Sequence, residues 1–429
     1  MQDLLPDFAF FMPAGHPQMR GEVRQLQAKP APGPRPRTAP PPPRVVASTA
    51  SRPTAAPSAA VTAAKATSAP PAAKTTAAPT SQYLAQSVCS STVSSTPLTS
   101  AKLCELKTLI YADLDAMLSP MTNTQKSFLF GPILRLAFHD AGEVNIGSST
   151  DKFGPDGCLS FTADNAGLIE ATKAVSTIVQ PWWQKYCPSG LSRGDFWALL
   201  AKAVVERSAA LGSATVVVDF WWGRKDNLLC DSASGRLPSG LAATAAATQA
   251  TFLNFMGLTA NDAVTLIGAH SVGHVSPKNS GFGNPALDAT LIESNSWDQT
   301  PHILDNQYFV QLITKPWTFV PATATTKQDY ADTRSPGHIM LDADMALGFQ
   351  ITANTPPLPP GQTLQNKCGG PPSQPCLRTT STQTLVDSFI ASNAVFVAAF
   401  GASFTKMCNV GFTRGTVKGH LGTLTQLKC

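Results

Sequence analysis

The stretch GPILRLAFHDAG, residues 131–142, sets Arg135, Phe138, His139 and Asp140 inside an otherwise apolar run. Burying a polar or charged group without a partner is costly, so each of the three polar side chains should have a partner or a task. On a helix Arg135 and His139 share a face, with Phe138 beside them. An imidazole next to a guanidinium can take a proton from one oxygen of a bound peroxide, return it to the other and stabilise the charge that develops. An Arg–His pair at helical spacing can also be structural, so the rest of the chain has to decide.

The elements expected to position this pair are helices. LCELKTLIYADLDAML, SRGDFWALLAKAVVERS and SGLAATAAATQATFLNFMG all place apolar residues at three- and four-residue spacing. TANDAVTLIGAHSVG opens with Thr259 and Asp262 in a capping-box arrangement. No alternating strand pattern persists beyond TVVVDFWW. The reading is an all-α domain over 86–429. Ahead of it, over 1–85, a Pro/Ala/Ser/Thr-rich basic stretch is expected to be disordered, because it has too little apolar surface to offset chain entropy. That tail could be a linker, a glycosylated stalk or a transit sequence. Residues 1–104 carry 10 Lys+Arg against Asp3, Asp7 and Glu22, so the basic balance belongs to the tail and nothing marks the folded part as a nucleic-acid binder. No apolar run is long enough for a membrane span. All nine cysteines lie in 89–429, a density that suggests an oxidising compartment.

Further motifs raise the catalytic reading of Arg135 and His139. RLAFHD is followed by GPDGC (154–158) and ADNAGL (163–168), and a second histidine, His270, sits in LIGAHSVGH. MLDADMAL (340–347), GRKD (223–226) and GRLP (235–238) complete the set. Together these resemble the plant, fungal and bacterial haem peroxidase superfamily, over about residues 100–415. The resemblance implies a two-lobed fold with haem b between a distal and a proximal helix. His270 would be the axial ligand of the haem iron and Asp344 its hydrogen-bond partner. Arg135, Phe138, His139 and Asn165 would form the distal, peroxide-activating side.

The same resemblance implies calcium. Ser271, Asp298, Thr300, the Ile303 carbonyl and Asp305 match a proximal site, a set of hard oxygen donors. At the distal site Asp140, Gly154 and Asp156 match, but Cys158 stands where a serine is expected. A thiol suits calcium poorly, so this site would bind weakly, use water or be replaced by a disulfide.

The branch is read as closest to the secreted calcium-binding classes. Phe138, not tryptophan, precedes the distal histidine. In SGFGNPA (280–286) the ascorbate-type class would have tryptophan at Ala286, and its ascorbate-contacting arginine falls at Asn279. Those departures point away from ascorbate or cytochrome c as donor and towards small phenols or aromatic amines, with hydrogen peroxide as oxidant. The plant-like YCPSGLSRGDF implies a Cys104–Cys187 disulfide, and CGGPPSQPC offers a local Cys368–Cys376 bridge. A secreted monomer is expected, with a chloroplast location as the alternative. Two rival readings stay open. One is a haem-binding sensor or store without turnover, against which the intact Arg135 and His139 argue. The other is a wall-anchored cross-linking peroxidase tethered by its tail.

Overall fold

Helix α1 (Ser100–Leu118) starts at Thr99, whose hydroxyl accepts the Lys102 amide, and buries Leu103, Leu106, Ile110 and Leu114. A computed structural model of the chain describes residues 88–160, 162–168, 175–228, 230, 235–287, 291–332, 334–335, 337–351 and 376–429. The tail expected over 1–85 lies outside the described residues, as does Cys368. Eleven α-helices and five short strands are found among those described.

Helix α2 (Asn123–Gly142) carries the opening motif and begins with a reciprocal cap between Thr122 and Gln125. It packs against α4 (Arg193–Leu211), which follows the short α3 (Gln180–Tyr186) and is buried over most of its length. Helix α5 (Ala245–Asn254) is shorter than its apolar pattern suggested, starting at the Thr244 cap. Helix α6 (Ala260–Ile267) forms the capping box expected of Thr259 and Asp262. It ends where the rings of Phe309 and Phe396 lie against Gly268, at 2.8 and 2.6 Å from where a Cβ would stand. The chain then tightens into a turn, Gly268–Ser271, that presents His270.

The short α7 (Pro277–Ser280) and α8 (Gln307–Thr314) precede a three-stranded antiparallel sheet, with β1 (Trp221–Trp222) lying earlier in the chain. In that sheet β2 (Trp317–Val320) pairs with β3 (Asp329–Asp332), which pairs with β4 (Ile339–Met340). The sequence reading missed it, because its longest strand has only four residues. Strand β4 feeds directly into α9 (Asp342–Gly348), the helix that carries Asp344. Helices α10 (Thr380–Ala391) and α11 (Asn393–Met407) close the proximal side with the fully buried Phe389, Phe396 and Phe400. Each such ring contributes roughly 1.5–3 kcal/mol by leaving water. Asp262 ties α6 to α11 by accepting from Ser403 and Lys406, both at 2.8 Å. Among the described residues no single helix is long and apolar enough to cross a membrane.

The expected Cys104–Cys187 bridge is replaced by two others, Cys89–Cys187 and Cys104–Cys429. The segment before α1 runs along α3, where Ser90 and Val88 bond to Gln184, which brings Cys89 to Cys187. The last strand, β5 (Thr425–Gln426), pairs with β1 and delivers Cys429 to α1. A third bridge joins Cys158 to Cys230, and Cys408 is a free, buried thiol.

Candidate active site

Two backbones meet where α2 crosses the segment that follows His270. A Cβ on Gly131 of α2 would stand 2.9 Å from the Cα of Gly273, three residues beyond His270. Gly273 has φ +98°, a conformation only glycine holds without strain. Two glycines thus let the helix bearing His139 cross directly against the segment bearing His270.

On the α2 side, His139 is buried and its Nδ1 bonds to Asn165 Oδ1 at 2.8 Å. Its Nε2 accepts from Arg135 Nε at 3.2 Å. The Arg135 guanidinium is anchored by the carbonyls of Ala166 (2.9 Å) and Asp164 (2.8 Å), so the 163–168 segment holds both members of the pair. Phe138 packs edge-on to His139 and stacks on Phe252. Burial, followed by the Arg135 charge, pushes the His139 imidazole down to about 3, so it is a neutral base across the physiological range.

On the other side, His270 Nδ1 bonds to Asp344 Oδ1 at 2.7 Å. Its ring is one-third exposed, and no hydrogen bond to Nε2 is made among the described residues. Asp344 is fully buried and accepts three more bonds, each 2.8 Å long, from Tyr308, Trp297 and the Leu341 amide. Burial alone would raise this carboxyl. His270, Leu341 and Tyr308 outweigh it and hold Asp344 below the usual carboxylate range. The Trp297 indole stacks on the His270 ring, with centroids 4.1 Å apart and planes 17° from parallel.

Every residue expected for the distal and proximal sides is therefore brought into one of two connected clusters. The sequence reading missed Trp297, Tyr308 and Glu143. Trp297 was one residue away, directly before the Asp298 that was singled out. The tryptophan sought at Ala286 is an exposed alanine, and the indole of this site comes from further along the chain.

The proximal calcium residues converge. Ser271 Oγ lies 2.9 Å from Asp298 Oδ2, 3.1 Å from the Ile303 carbonyl and 3.3 Å from Asp305 Oδ1. Thr300 Oγ1 bridges the same two carboxylates at 3.4 and 3.3 Å. Burial and the facing Asp305 push Asp298 up to about 8, as expected of two carboxylates sharing a closed space. This donor set fits a hard cation.

The distal set does not fit one. Asp140 accepts the Gly157 and Cys158 amides, and the Gly154 carbonyl accepts the Asp156 amide at 2.7 Å. The Cys158 sulfur is committed to Cys230, and the buried Arg193 supplies positive charge towards both aspartates. Asp140, Gly154, Asp156 and Cys158, read as a doubtful calcium site that a disulfide could replace, are found in a bridged, hydrogen-bonded arrangement, the last of the alternatives given for it.

A family model described as peroxidase matches residues 110–355, more than half of the chain. The chain belongs to the haem peroxidase family. It is similar to the mitochondrial cytochrome c peroxidase of Cryptococcus neoformans var. grubii, 30% identical over 228 residues, 50% of this chain and 52% of that protein. It is also similar to the probable L-ascorbate peroxidase 3, peroxisomal, of Oryza sativa subsp. japonica, 31% identical over 187 residues, 42% of this chain and 55% of the relative. The mitochondrial cytochrome c peroxidase of Yarrowia lipolytica is 30% identical over 230 residues, 51% and 58% of the two chains. The chain thus spans about half the length of these curated relatives. Their mitochondrial and peroxisomal names overturn the expectation of a secreted protein and leave the chloroplast alternative without support.

Proposed function

We propose that the domain over 86–429 binds haem b through His270, consumes hydrogen peroxide and takes one electron from each of two small phenolic or aromatic donors. The observation that carries this is the pairing of two histidines. Each has Nδ1 committed to a side-chain oxygen, and they lie on segments that touch at Gly131 and Gly273. When bound, haem supplies the iron at which the oxygen–oxygen bond is broken and the redox equivalents are held.

The protein's residues handle the protons. Neutral His139 takes the proton from the near oxygen of peroxide at Nε2 and passes it to the far oxygen, which leaves as water. Arg135, held by two carbonyls, offsets the negative charge on the departing oxygen. Asn165 keeps the His139 proton on Nδ1, so that Nε2, which accepts from Arg135 Nε here, is the basic nitrogen. Asp344 polarises the Nδ1–H of His270 and strengthens it as a ligand. Ser271, Asp298, Thr300, the Ile303 carbonyl and Asp305 would hold a calcium ion, which would fasten the turn that presents His270.

Trp297 supports a second reading of the donor, in which a redox protein such as cytochrome c delivers electrons through this indole. The relatives named for cytochrome c make that protein the one to test. Ascorbate is disfavoured, because Asn279 packs against Gly167 and brings no positive charge. Stopped-flow absorbance on the haem-loaded full chain decides. Fast reaction with one equivalent of peroxide, reversed by guaiacol and insensitive to Trp297→Phe, supports the phenolic reading. Turnover of reduced cytochrome c that Trp297→Phe abolishes supports the second. Equal slow bleaching in the wild type and His139→Leu would sink both.

A further inference from the structure

The segment after α11, residues 411–429, runs back over the domain as a strap. Leu421 presses on the loop beyond α2. Its Cδ1 lies 2.7 Å from where a Cβ on Gly154 would stand and 2.6 Å from the same point on Gly411, with the buried Val144 beside both glycines. The Leu421 amide donates to the Gly411 carbonyl and the Leu424 amide to the Thr413 carbonyl, each at 2.9 Å. Beyond the buried Leu424 every residue of the strap is at least partly exposed. This stretch is held by the two-residue pairing of β5 with β1, by a bond from the Leu427 amide to the Phe220 carbonyl at 2.8 Å, and by the Cys104–Cys429 bridge. A short two-stranded pairing is marginal in water, so the bridge is the principal fastening.

The three bridges whose cysteines are both described differ in access. Cys89–Cys187 and Cys158–Cys230 each have one buried member, Cys187 at 2% exposure and Cys158 at 1%. Cys104 is half-buried and Cys429 exposed, so of the three this bridge has no buried member. A disulfide opens when a thiolate reaches one of its sulfurs, so access decides which bridge exchanges.

We propose that Cys104–Cys429 is a thiol-exchange site, at which a dithiol reductant opens the bridge and releases the strap while the other two bridges stay closed. A thiolate of the dithiol attacks the exposed Cys429 sulfur, the sulfur–sulfur bond breaks, and the Cys104 sulfur leaves as a thiolate that takes up a proton. The second thiol of the reductant then displaces Cys429 from the mixed disulfide. Two electrons and two protons pass to the chain, and the reductant ends as a disulfide. An added disulfide in excess reverses the sequence.

The release has a route to the distal side. Leu421 bears on Gly154, and the 154–158 loop supplies the Gly157 and Cys158 amides that bond to Asp140, the neighbour of His139. The strap therefore loosens first and the loop second, and the Cys158–Cys230 bridge limits the second effect. Nothing in this depends on how His139 acts.

The test titrates the haem-loaded full chain with dithiothreitol. Alkylation with peptide mapping reads which cysteines are freed, and amide hydrogen exchange reads the backbone of the same samples. Cys104 and Cys429 should be freed at least about 10-fold faster than Cys187 or Cys158, and the buried Cys408 should stay unlabelled as an internal control. Exchange over 411–429 should rise about 10-fold with the opening, and over 154–158 by less. Oxidised glutathione should reverse both. Cys429→Ser should show the raised exchange without dithiol and no further rise with it. The inference is overturned if either of the other two bridges opens as fast, or if opening leaves exchange over either segment unchanged. Should Cys429→Ser not fold, the wild-type titration decides by itself.

Discussion

His139 and His270 each bond through Nδ1 to a side-chain oxygen, at 2.8 and 2.7 Å, yet their surroundings give them opposite character. Asn165 offers a neutral amide, and Arg135 adds a positive charge beside the ring, so His139 stays unprotonated and available. Asp344 offers an anion that four donors keep ionised, so His270 is drawn towards imidazolate. One ring is prepared to receive a proton and the other to hold a metal. The difference lies in the partner, not in the histidine.

The comparison breaks most severely when the distal ring is removed. His139→Leu should slow peroxide consumption about 10³-fold, within the usual contribution of a positioned proton acceptor. Its pH signature has a definite sign. The folded ring titrates at about 3 against an ordinary 6.5, so between these values the unfolded chain binds a proton that the folded chain does not. This part of the stability is present above about 6.5 and is lost as pH falls towards 3. Urea midpoints should therefore fall less steeply with acid in His139→Leu than in the wild type.

Asp344→Asn makes the proximal side resemble the distal one. The amide turns an NH2 towards groups that are all donors, so at least one of Trp297, Tyr308, the Leu341 amide and His270 loses its acceptor. Activity should fall about 10- to 100-fold, as for other partners of metal-bound histidines. The ferric/ferrous midpoint should rise, because a less anionic imidazole stabilises ferric iron less. An unchanged midpoint would mean that the carboxylate only places the ring.

A second pair of regions sharpens the same lesson at a smaller scale. Asp298 and Asp305 face hydroxyls and a carbonyl, whereas Asp140 and Asp156 face backbone amides, a disulfide and Arg193. Calcium should raise the melting temperature of the full chain, and Asp298→Asn should abolish that response. Asp140→Asn should leave the calcium response intact. A response that follows Asp140 instead would reverse the assignment of the two loops.

What could be read from sequence was whatever is local or tied to a motif. Thr259 and Asp262 announce a helix start because the cap closes within four residues. Arg135 and His139 are neighbours by helical spacing alone, but it took the motifs around Asn165, His270 and Asp344 to make them read as a site. The Cys104–Cys187 bridge was misread because Cys89 and Cys429 reach these two cysteines through the course of segments far apart in sequence. Trp297 and Tyr308 look like ordinary core aromatics until the fold shows both donating to one carboxylate. Glu143 is likewise an unremarkable helix-end acid until Ser160 and Asn165 fold back onto it.

The smallest expected effect concerns Tyr308, and there the sign carries the information. Its hydroxyl donates to Asp344 Oδ1, the same oxygen that holds His270, whereas Trp297 and Leu341 donate to Oδ2. Each added donor spreads the negative charge and weakens the pull of that oxygen on the His270 proton. Tyr308→Phe removes one donor and leaves the ring in place, so Oδ1 becomes the stronger acceptor and His270 the more anionic ligand. The midpoint of the haem-loaded chain should fall by a few tens of millivolts, below the roughly 59 mV of a tenfold change in a one-electron equilibrium. Asp344→Asn should move it the opposite way, so potentiometry on the two variants gives shifts of opposite sign. If both raise the midpoint, the hydroxyl orients the carboxylate rather than tempering it, and the four-donor account of the proximal side fails at its most specific point.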